Sequence, residues 1–318
     1  MAELLPFNLE TLMINKKSIS KKVALVAMVG AAWCASSNAT EPGVGSVYPN
    51  GTENYMAGAL PPPGLYGMVF ATQYNATKLK DNSGNDVAPG VFSLKANVVA
   101  GRIAWVPGIK ALGGDLVAHA IVPVVDLKVT APNGVSGSKS GIGDITTGVG
   151  VGYHHSPNLH SVVAFDFFLP TGEYDKNSVA NVGRNHLAYE PVYAISYIDP
   201  TGFNGDVKMG YIMNKRNTAT DFKSGDEFHF DYAAGWGVGN GWTVGVGGYY
   251  LNQVSDDKAG SNYAGPPSTG KAHAFAIGPS VKYDSGKGWF ATLKYQQESS
   301  VRNAAQGNQL WLKTVFPL

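Results

Sequence analysis

Acidic, imidazole and aromatic side chains alternate in the stretch from Glu227 to Val238. Glu227, His229 and Asp231 share one parity, and bulky aromatic residues fill most of the positions between them. Because successive side chains of an extended strand point to opposite faces, this spacing predicts a strand with an acid–imidazole–acid row on one face and an aromatic surface on the other. The chemistry open to such a row is charge pairing within the protein or contact with a polar solute.

Signatures of enzyme chemistry are weak in this sequence. It contains no Gly-x-Ser-x-Gly elbow, no His-Glu-x-x-His zinc motif and no phosphate-binding loop of the Walker type. His154 and Ser156 have the spacing used by some lipid hydrolases of outer membranes, but they fall in a predicted short turn, and His154 with His155 lacks a third metal ligand. We expect no enzyme activity, no metal and no cofactor, and keep a lipid hydrolase as the weakest alternative.

Twelve predicted strands must position the polar residues. A turn at Gly239-Asn240-Gly241 accepts positive φ and joins two of the strands as a hairpin. Most strands reach the roughly 9–11 residues that a tilted strand needs to cross a bilayer. Their predicted bounds are Gly64–Tyr74, Val91–Val106, Asp115–Val129, Gly141–Tyr153, Leu159–Leu169, Leu187–Ile198, Phe203–Asn214, Glu227–Val238, Trp242–Val254, Lys271–Tyr283, Gly288–Glu298 and Asn308–Leu318.

Long and short connections alternate between these strands. The long ones are Asn75–Gly90, Thr130–Ser140, Pro170–His186, Lys215–Asp226, Ser255–Gly270 and Ser299–Gly307; the short ones are Pro107–Gly114, His154–Asn158, Asp199–Gly202, Gly239–Gly241 and Asp284–Lys287. Outer-membrane barrels have an even number of strands, long outer loops and short periplasmic turns. With 40 Gly, 16 Tyr and only 15 % charged residues, the rhythm predicts an all-β protein, a transmembrane antiparallel β-barrel in the bacterial outer membrane.

The membrane setting assigns a face to each charge. Arg or Lys facing lipid near the midplane costs about 2–4 kcal/mol, so charged residues belong on the lumen face. The second and third strands stay unassigned, because Arg102, His119 and Asp126 do not fit one parity. The predicted lumen set either braces the wall through ion pairs and hydrogen bonds or guides a permeant; its members are Asp144, Asp166, Glu190, Asp206, Lys208, His229, Asp231 and Lys294.

Three prolines fall inside predicted strands. Pro123, Pro191 and Pro279 each remove a ladder hydrogen bond, and a closed barrel has no edge strand to hold them. We expect a β-bulge at each position. Such kinks are either local irregularities of the wall or the edge of a side exit through which an apolar molecule reaches the membrane.

Aromatic residues in the predicted long loops form a separate candidate site. Tyr174, Phe222 and Tyr263 lie in three different loops, all assigned to the outer side of the barrel. Concave aromatic surfaces bind apolar ligands, so these residues either form an external capture site or belong to solvated loops shaped by surface lipid.

The N-terminus has the pattern of an export signal. Four lysines between residues 16 and 22 precede an apolar run, and Ser37-Asn38-Ala39 forms a small-x-small cleavage site. We predict a signal peptide over 1–39, with Met13 as an alternative start. Residues 40–63, rich in Gly, Pro and Asn, form either a flexible lead-in or a partial plug of the barrel, and residues 64–318 form the barrel.

Several motifs resemble an outer-membrane family named for the meta-pathway of phenol degradation. The similar stretches are Gly141–Asp144, Leu169–Asp175, Glu190-Pro191, Asn217–Glu227 and Gly248–Asp257, and the resemblance spans roughly residues 53–318. It implies a twelve-stranded channel for small hydrophobic molecules, without fixing which molecule.

Taken together, the sequence predicts a monomeric outer-membrane channel for passive uptake of small hydrophobic compounds, aromatic ones above all. Its expected partners are outer-membrane lipid and the permeant. Nucleic acid is not expected as a partner, because formal net charge is only +1 and no basic stripe is present. The alternative from another class is a non-conducting structural or adhesive barrel.

Overall fold

A computed structural model describes residues 45–318, and these are almost entirely β-structure. The predicted signal peptide (1–39) and the first residues of the predicted lead-in lie outside the described residues. Within residues 45–318, no helix has the length and apolar character needed to span a bilayer. The all-β prediction is confirmed.

Twelve strands form the wall, and the fourth is broken into two segments. The residues of each strand alternate in polarity between the inner and outer faces of the sheet. Closing the sheet into a ring lets every strand pair its backbone groups with two neighbours. Their bounds are β1 (Gly64–Leu79), β2 (Ser93–Val106), β3 (Gly114–Thr130), β4a (Ser136–Ile142), β4b (Ile145–His154), β5 (Leu159–Leu169), β6 (Ala188–Tyr197), β7 (Phe203–Asn214), β8 (Glu227–Gly239), β9 (Trp242–Gln253), β10 (His273–Asp284), β11 (Phe290–Arg302) and β12 (Ala305–Pro317).

Each strand pairs antiparallel with its neighbour in sequence, and β12 pairs with β1 to close the sheet. At that seam Tyr66 lies opposite Pro317 and Gln73 opposite Leu310. Of three further two-residue strands, Lys110–Ala111 pairs with the start of β3, whereas Phe222–Lys223 and Lys258–Ala259 pair with each other outside the wall. The predicted twelve-stranded antiparallel barrel is confirmed.

The two faces of the wall differ in polarity. Charged side chains of β6–β12 are buried toward the barrel axis, among them Glu190, Asp231 and Lys294, each no more than 2 % exposed. Large apolar side chains cover the outside, including Val69, Val99, Ile103, Val122, Val149, Val163, Tyr193, Trp236, Ile277, Leu293 and Leu310. An apolar exterior on a sheet with no second layer is the surface of a membrane barrel.

Two predicted long loops are short hairpin tips, which corrects the alternation read from the sequence. β3 and β4a extend toward each other until only residues 131–135 connect them, and β11 and β12 are joined by residues 303–304. The sequence argument missed these extensions because they continue above the apolar band, where the strand residues are polar and resemble loop sequence. The long loops that remain, all at one end of the barrel, are residues 80–92, 170–187, 215–226 and 254–272.

Each of the three prolines interrupts the hydrogen-bond ladder with one of its two neighbouring strands. Only Pro123 lies beside a bulge. Pairing of β6 with β7 skips Glu190 and Pro191, and pairing of β10 with β11 skips Gly278 and Pro279, both without change of register. The expected bulges at Pro191 and Pro279 are therefore wrong. Opposite Pro123, the register changes by one residue where β4 is broken.

We predict that arginine is tolerated on the outer wall only away from its apolar middle. Val163→Arg puts a charge at the centre of β5, where the side chain is 51 % exposed on the outer face, and should lower the free energy of unfolding in lipid vesicles by about 2–4 kcal/mol. Asn97→Arg, on the outer face above the apolar band, should lower it by less than about 1 kcal/mol. Urea titration followed by tryptophan fluorescence measures both; equal losses would contradict the membrane placement.

Candidate functional site: the barrel lumen

Residues 45–63 precede β1 and run through the inside of the barrel; we call them the lumen segment. Their contacts reach widely separated strands: Gly58 N donates to Ser196 Oγ of β6 at 2.8 Å, and Gln309 Nε2 of β12 donates to Asn50 O at 3.0 Å. A Gly- and Pro-rich stretch cannot form a regular strand, so its main-chain groups need other partners. The inward polar residues of the wall supply them.

Asp231 is the most heavily used of these partners. Its carboxylate accepts hydrogen bonds from the main-chain nitrogens of Gly51 and Glu53, at 2.7 Å and 2.8 Å, and from Tyr48 Oη at 2.7 Å. Gly51 has φ +85°, and a Cβ there would lie 2.3 Å from the side chain of Gln296. The close approach of chain to wall therefore requires glycine at this point.

Other charges hold the segment farther along. Asp206 accepts from the main-chain nitrogens of Met56 and Ala57, at 2.7 Å and 3.2 Å, while Lys294 Nζ donates to Thr52 O and Glu53 O, at 3.1 Å and 2.8 Å. Acidic residues thus contact amide nitrogens and a lysine contacts carbonyl oxygens, which matches donor to acceptor along the segment.

A buried charge cluster supports Tyr48. Glu190 Oε1 lies 3.2 Å from Lys208 Nζ and 2.7 Å from His229 Nε2. The ring of Tyr48 stacks on His229 at a centroid distance of 4.3 Å, and Lys208 Nζ lies 3.8 Å from the Tyr48 centroid. Each buried charge has a partner, as burial requires. Glu190, Lys208 and His229 therefore brace the wall and fix one end of the segment.

Some charged lumen residues were absent from the predicted set, and one of them, Arg102, lies on a strand whose face was left unassigned. Arg102 of β2 and Lys313 of β12 both bind the carboxylate of Glu53, at 3.3 Å and 3.0 Å. Asp126 prevented the assignment of β3, because it is charged and yet lies on the outer face. Its carboxylate accepts hydrogen bonds from Ser140 Oγ at 2.6 Å and from Asn97 Nδ2 at 3.5 Å. Parity fails as a guide there because β3 extends above the apolar band, where an outward charge is tolerated.

The other half of the lumen is apolar. The inner faces of β1–β4b line a cavity of about 780 Å³ whose remaining boundary includes the lumen segment. Lining residues come from both ends of the barrel, from Leu94 near the long loops to His154 at the short-turn end. The apolar wall includes Met68, Phe70, Val98, Ile121, Val125 and Leu127. His119 of β3 and Asp166 of β5, whose Nε2 and Oδ1 are 2.9 Å apart, form a hydrogen bond beside this wall.

The break in β4 lies at Gly143 and Asp144, beside the cavity-lining Pro123. In the described part of the chain, β4a pairs with β3 alone, and Val182 of the following loop lies against its face at Gly141. Asp144 ties this loop down by accepting from the nitrogens of Gly172 at 2.9 Å and Arg184 at 2.6 Å. Val124 and Ile142 flank the break with more than half of each side chain exposed, so the break lies within the apolar band.

Two of the three loop aromatic residues, Phe222 and Tyr263, come together in the structure. Phe222 is 2 % exposed and packs on Tyr263 with ring centroids 4.7 Å apart, beside the short strand pair Phe222–Lys223 and Lys258–Ala259. Tyr263 Oη donates to Pro266 O at 2.9 Å. Tyr174 lies half-buried in the loop of residues 170–187. The capture site stays a prediction, and Phe222 offers little surface to it.

The geometry proposed for a hydrolase is absent from the described residues. Ser156 Oγ accepts from the main-chain nitrogens of Asn158 and Leu159, which caps the turn, and His154 Nδ1 lies 2.8 Å from His160 Nδ1. The weakest alternative therefore finds no support in the contacts of His154 and Ser156, because the hydroxyl is directed to the backbone of the turn. Within residues 45–318 no group of three or more His, Cys, Asp or Glu residues could hold a metal.

Comparison with known proteins agrees with this architecture. The family model described as "Putative MetA-pathway of phenol degradation" matches residues 76–314. The chain belongs to this family. The chain is similar in structure to an outer-membrane channel from Pseudomonas putida F1, whose crystal structure is known. The two have 16 % sequence identity and a TM-score of 0.69, and the match covers 82 % of this chain and 97 % of the Pseudomonas chain.

Two further barrels are more distant. The transport unit of the autotransporter AIDA-I from Escherichia coli has 10 % identity and a TM-score of 0.47 over 80 % of this chain and 90 % of its own. The monoaromatic hydrocarbon channel CymD has 10 % identity and a TM-score of 0.39 over 80 % and 89 %. Curated proteins yield no match. The barrel fold and its apolar exterior place this family member in the bacterial outer membrane.

We predict that Asp231→Ala loosens the lumen segment while leaving the barrel closed. Three hydrogen bonds to a buried carboxylate are lost, each worth about 1.5–3 kcal/mol, so the Gly51 and Glu53 amides should exchange with deuterium at least about tenfold faster. Asp126→Ala, which removes a carboxylate from the outer face, is the control and should leave exchange over residues 45–60 unchanged. Mass spectrometry of peptides measures both; unchanged exchange in Asp231→Ala would contradict the role given to that residue.

Proposed function

We propose that this protein is an outer-membrane channel for passive uptake of small hydrophobic molecules of aromatic size. The observation that carries the proposal is the division of the lumen. The polar half is occupied by the lumen segment, and the space left beside it is bounded mainly by the apolar inner face of β1–β4b, with charged side chains such as Lys208, Glu298 and Lys313 on its remaining boundary. A molecule in that space meets aliphatic and aromatic surface, which favours apolar solutes over ions and sugars.

In this proposal, the lumen segment acts as a partial plug. It fills the half of the bore that would otherwise carry water and charge, because its main chain binds Asp206, Asp231 and Lys294. Those charges then brace the plug and have no direct contact with the permeant. A single barrel encloses the whole path, so one copy of the chain suffices for transport.

The break in β4 gives the permeant a side exit. The cavity lining includes Pro123, Gly143 and Val182, and the flanking exterior is apolar. An apolar molecule gains free energy by leaving for the hydrocarbon of the bilayer instead of the aqueous periplasm. Pro191 and Pro279 are exposed on the outer face and do not line the cavity, so they have no part in this route.

A charge placed in the apolar half should stop uptake. We predict that Val98→Asp lowers the rate of radiolabelled toluene uptake at least about tenfold in cells that consume toluene, since a carboxylate in a narrow apolar passage holds water there. Val135→Asp makes the same change at an exposed hairpin tip and should leave uptake unchanged. Heat-modifiable migration confirms folding of both. Uptake that is independent of the gene, or equal in the two variants, would instead favour the non-conducting barrel.

Closing the break should separate the side route from an axial one. A Cβ at Gly141 would lie 3.8 Å from Val182 Cγ2, so a Gly141→Cys, Val182→Cys pair in a Cys34→Ser background can be oxidised to a disulfide. We predict that oxidation lowers toluene uptake at least about fivefold and that reduction restores it. The single cysteine variants are the controls. Full uptake by the oxidised pair would exclude the side exit and leave axial passage.

A further inference from the structure

Two histidines face each other across the strand pair at the short-turn end of the barrel. His154 ends β4b and His160 is its register partner in β5. Their Nδ1 atoms are 2.8 Å apart, and the rings meet edge to face with centroids separated by 4.9 Å. Both residues line the cavity, and His154 is exposed. The pair thus lies in the wall of the lumen mouth, open to solvent.

The separation of the two nitrogens fits cis coordination of one metal ion. Imidazole nitrogen binds first-row divalent metals at about 2.0–2.1 Å, so two ligands at a right angle stand about 2.9 Å apart and two at the tetrahedral angle about 3.4 Å apart. The observed 2.8 Å matches the right angle, which square-planar and tetragonal Cu²⁺ and Ni²⁺ prefer. Among divalent ions of the first row, Cu²⁺ binds such nitrogen ligands most tightly.

The neighbouring histidine points elsewhere and is occupied. His155 Nε2 is 2.7 Å from Ser161 Oγ, and its ring stacks on Tyr153 at 6.2 Å. The structure holds no third His, Cys, Asp or Glu close enough to complete a metal set within residues 45–318, so water would fill the remaining positions. A two-histidine site of this kind suits an exchangeable ion at an exposed mouth.

We propose that His154 and His160 form a binding site for a divalent transition-metal ion, with Cu²⁺ preferred, at the short-turn mouth of the lumen. Both rings bind through Nδ1 and carry their proton on Nε2. The site is independent of the channel function proposed above.

Titration of the full chain with Cu²⁺ tests this site. The protein is purified from outer membranes without an affinity tag, and binding is followed by calorimetry together with electron paramagnetic resonance. We expect one ion per chain, with hyperfine coupling to two imidazole nitrogens. His154→Gln and His160→Gln should each weaken binding at least about tenfold and remove one nitrogen coupling.

His155→Gln is the matched control, because it removes an adjacent imidazole that bonds Ser161 instead. It should bind Cu²⁺ as the unmodified protein does. Absence of Cu²⁺ binding, or equal affinity in His154→Gln, His160→Gln and unmodified protein, would overturn the site and leave the contact as a hydrogen bond within the wall. Loss of binding in His155→Gln alone would also overturn it.

Discussion

The structure depends on pairing buried charge with the main chain of the lumen segment. An ionised group far from water is destabilising unless opposite charge or hydrogen bonds surround it. Asp231 is 1 % exposed and Lys294 is 2 % exposed, and each binds main-chain groups of residues 51–53 of the lumen segment. The buried charges of the wall and the main-chain groups of the lumen segment therefore meet each other's need for hydrogen bonds. Without the wall charges, these amides and carbonyls would be unpaired as well.

This mutual satisfaction divides the bore. β6–β12 carry the charges and amides that hold the segment, whereas β1–β4b present mainly apolar side chains inward. The lumen segment narrows the bore because it fills the half with the charged wall. The space that remains lies along the apolar half, so the segment also determines the polarity of that space. Leu60 joins the two halves, because it packs with Ala104 and Val117 on the apolar wall.

Much of the fold followed from alternation. The period-2 pattern of β8 and the positive-φ turn at residues 239–241 appear as expected, with φ between 52° and 83° at those three positions. Alternation failed where strands rise above the apolar band, since Asp126 faces outward there without penalty. The contacts of Asp231 with the lumen segment lay beyond prediction, because an irregular stretch has no periodicity to fix which wall residue it meets.

The grip on the segment is made largely through the peptide backbone. Asp231 and Asp206 bind the amides of Gly51, Glu53, Met56 and Ala57, and every residue except proline offers the same amide. Side chains at Met56 and Ala57 are thus free to diverge between homologous chains, whereas Gly51 is fixed by the close approach to the wall and Glu53 by its ion pairs with Arg102 and Lys313. Homologous chains must instead keep the number of residues between these amides. One inserted residue would displace the amides that follow it by up to about 3.5 Å, which breaks their hydrogen bonds.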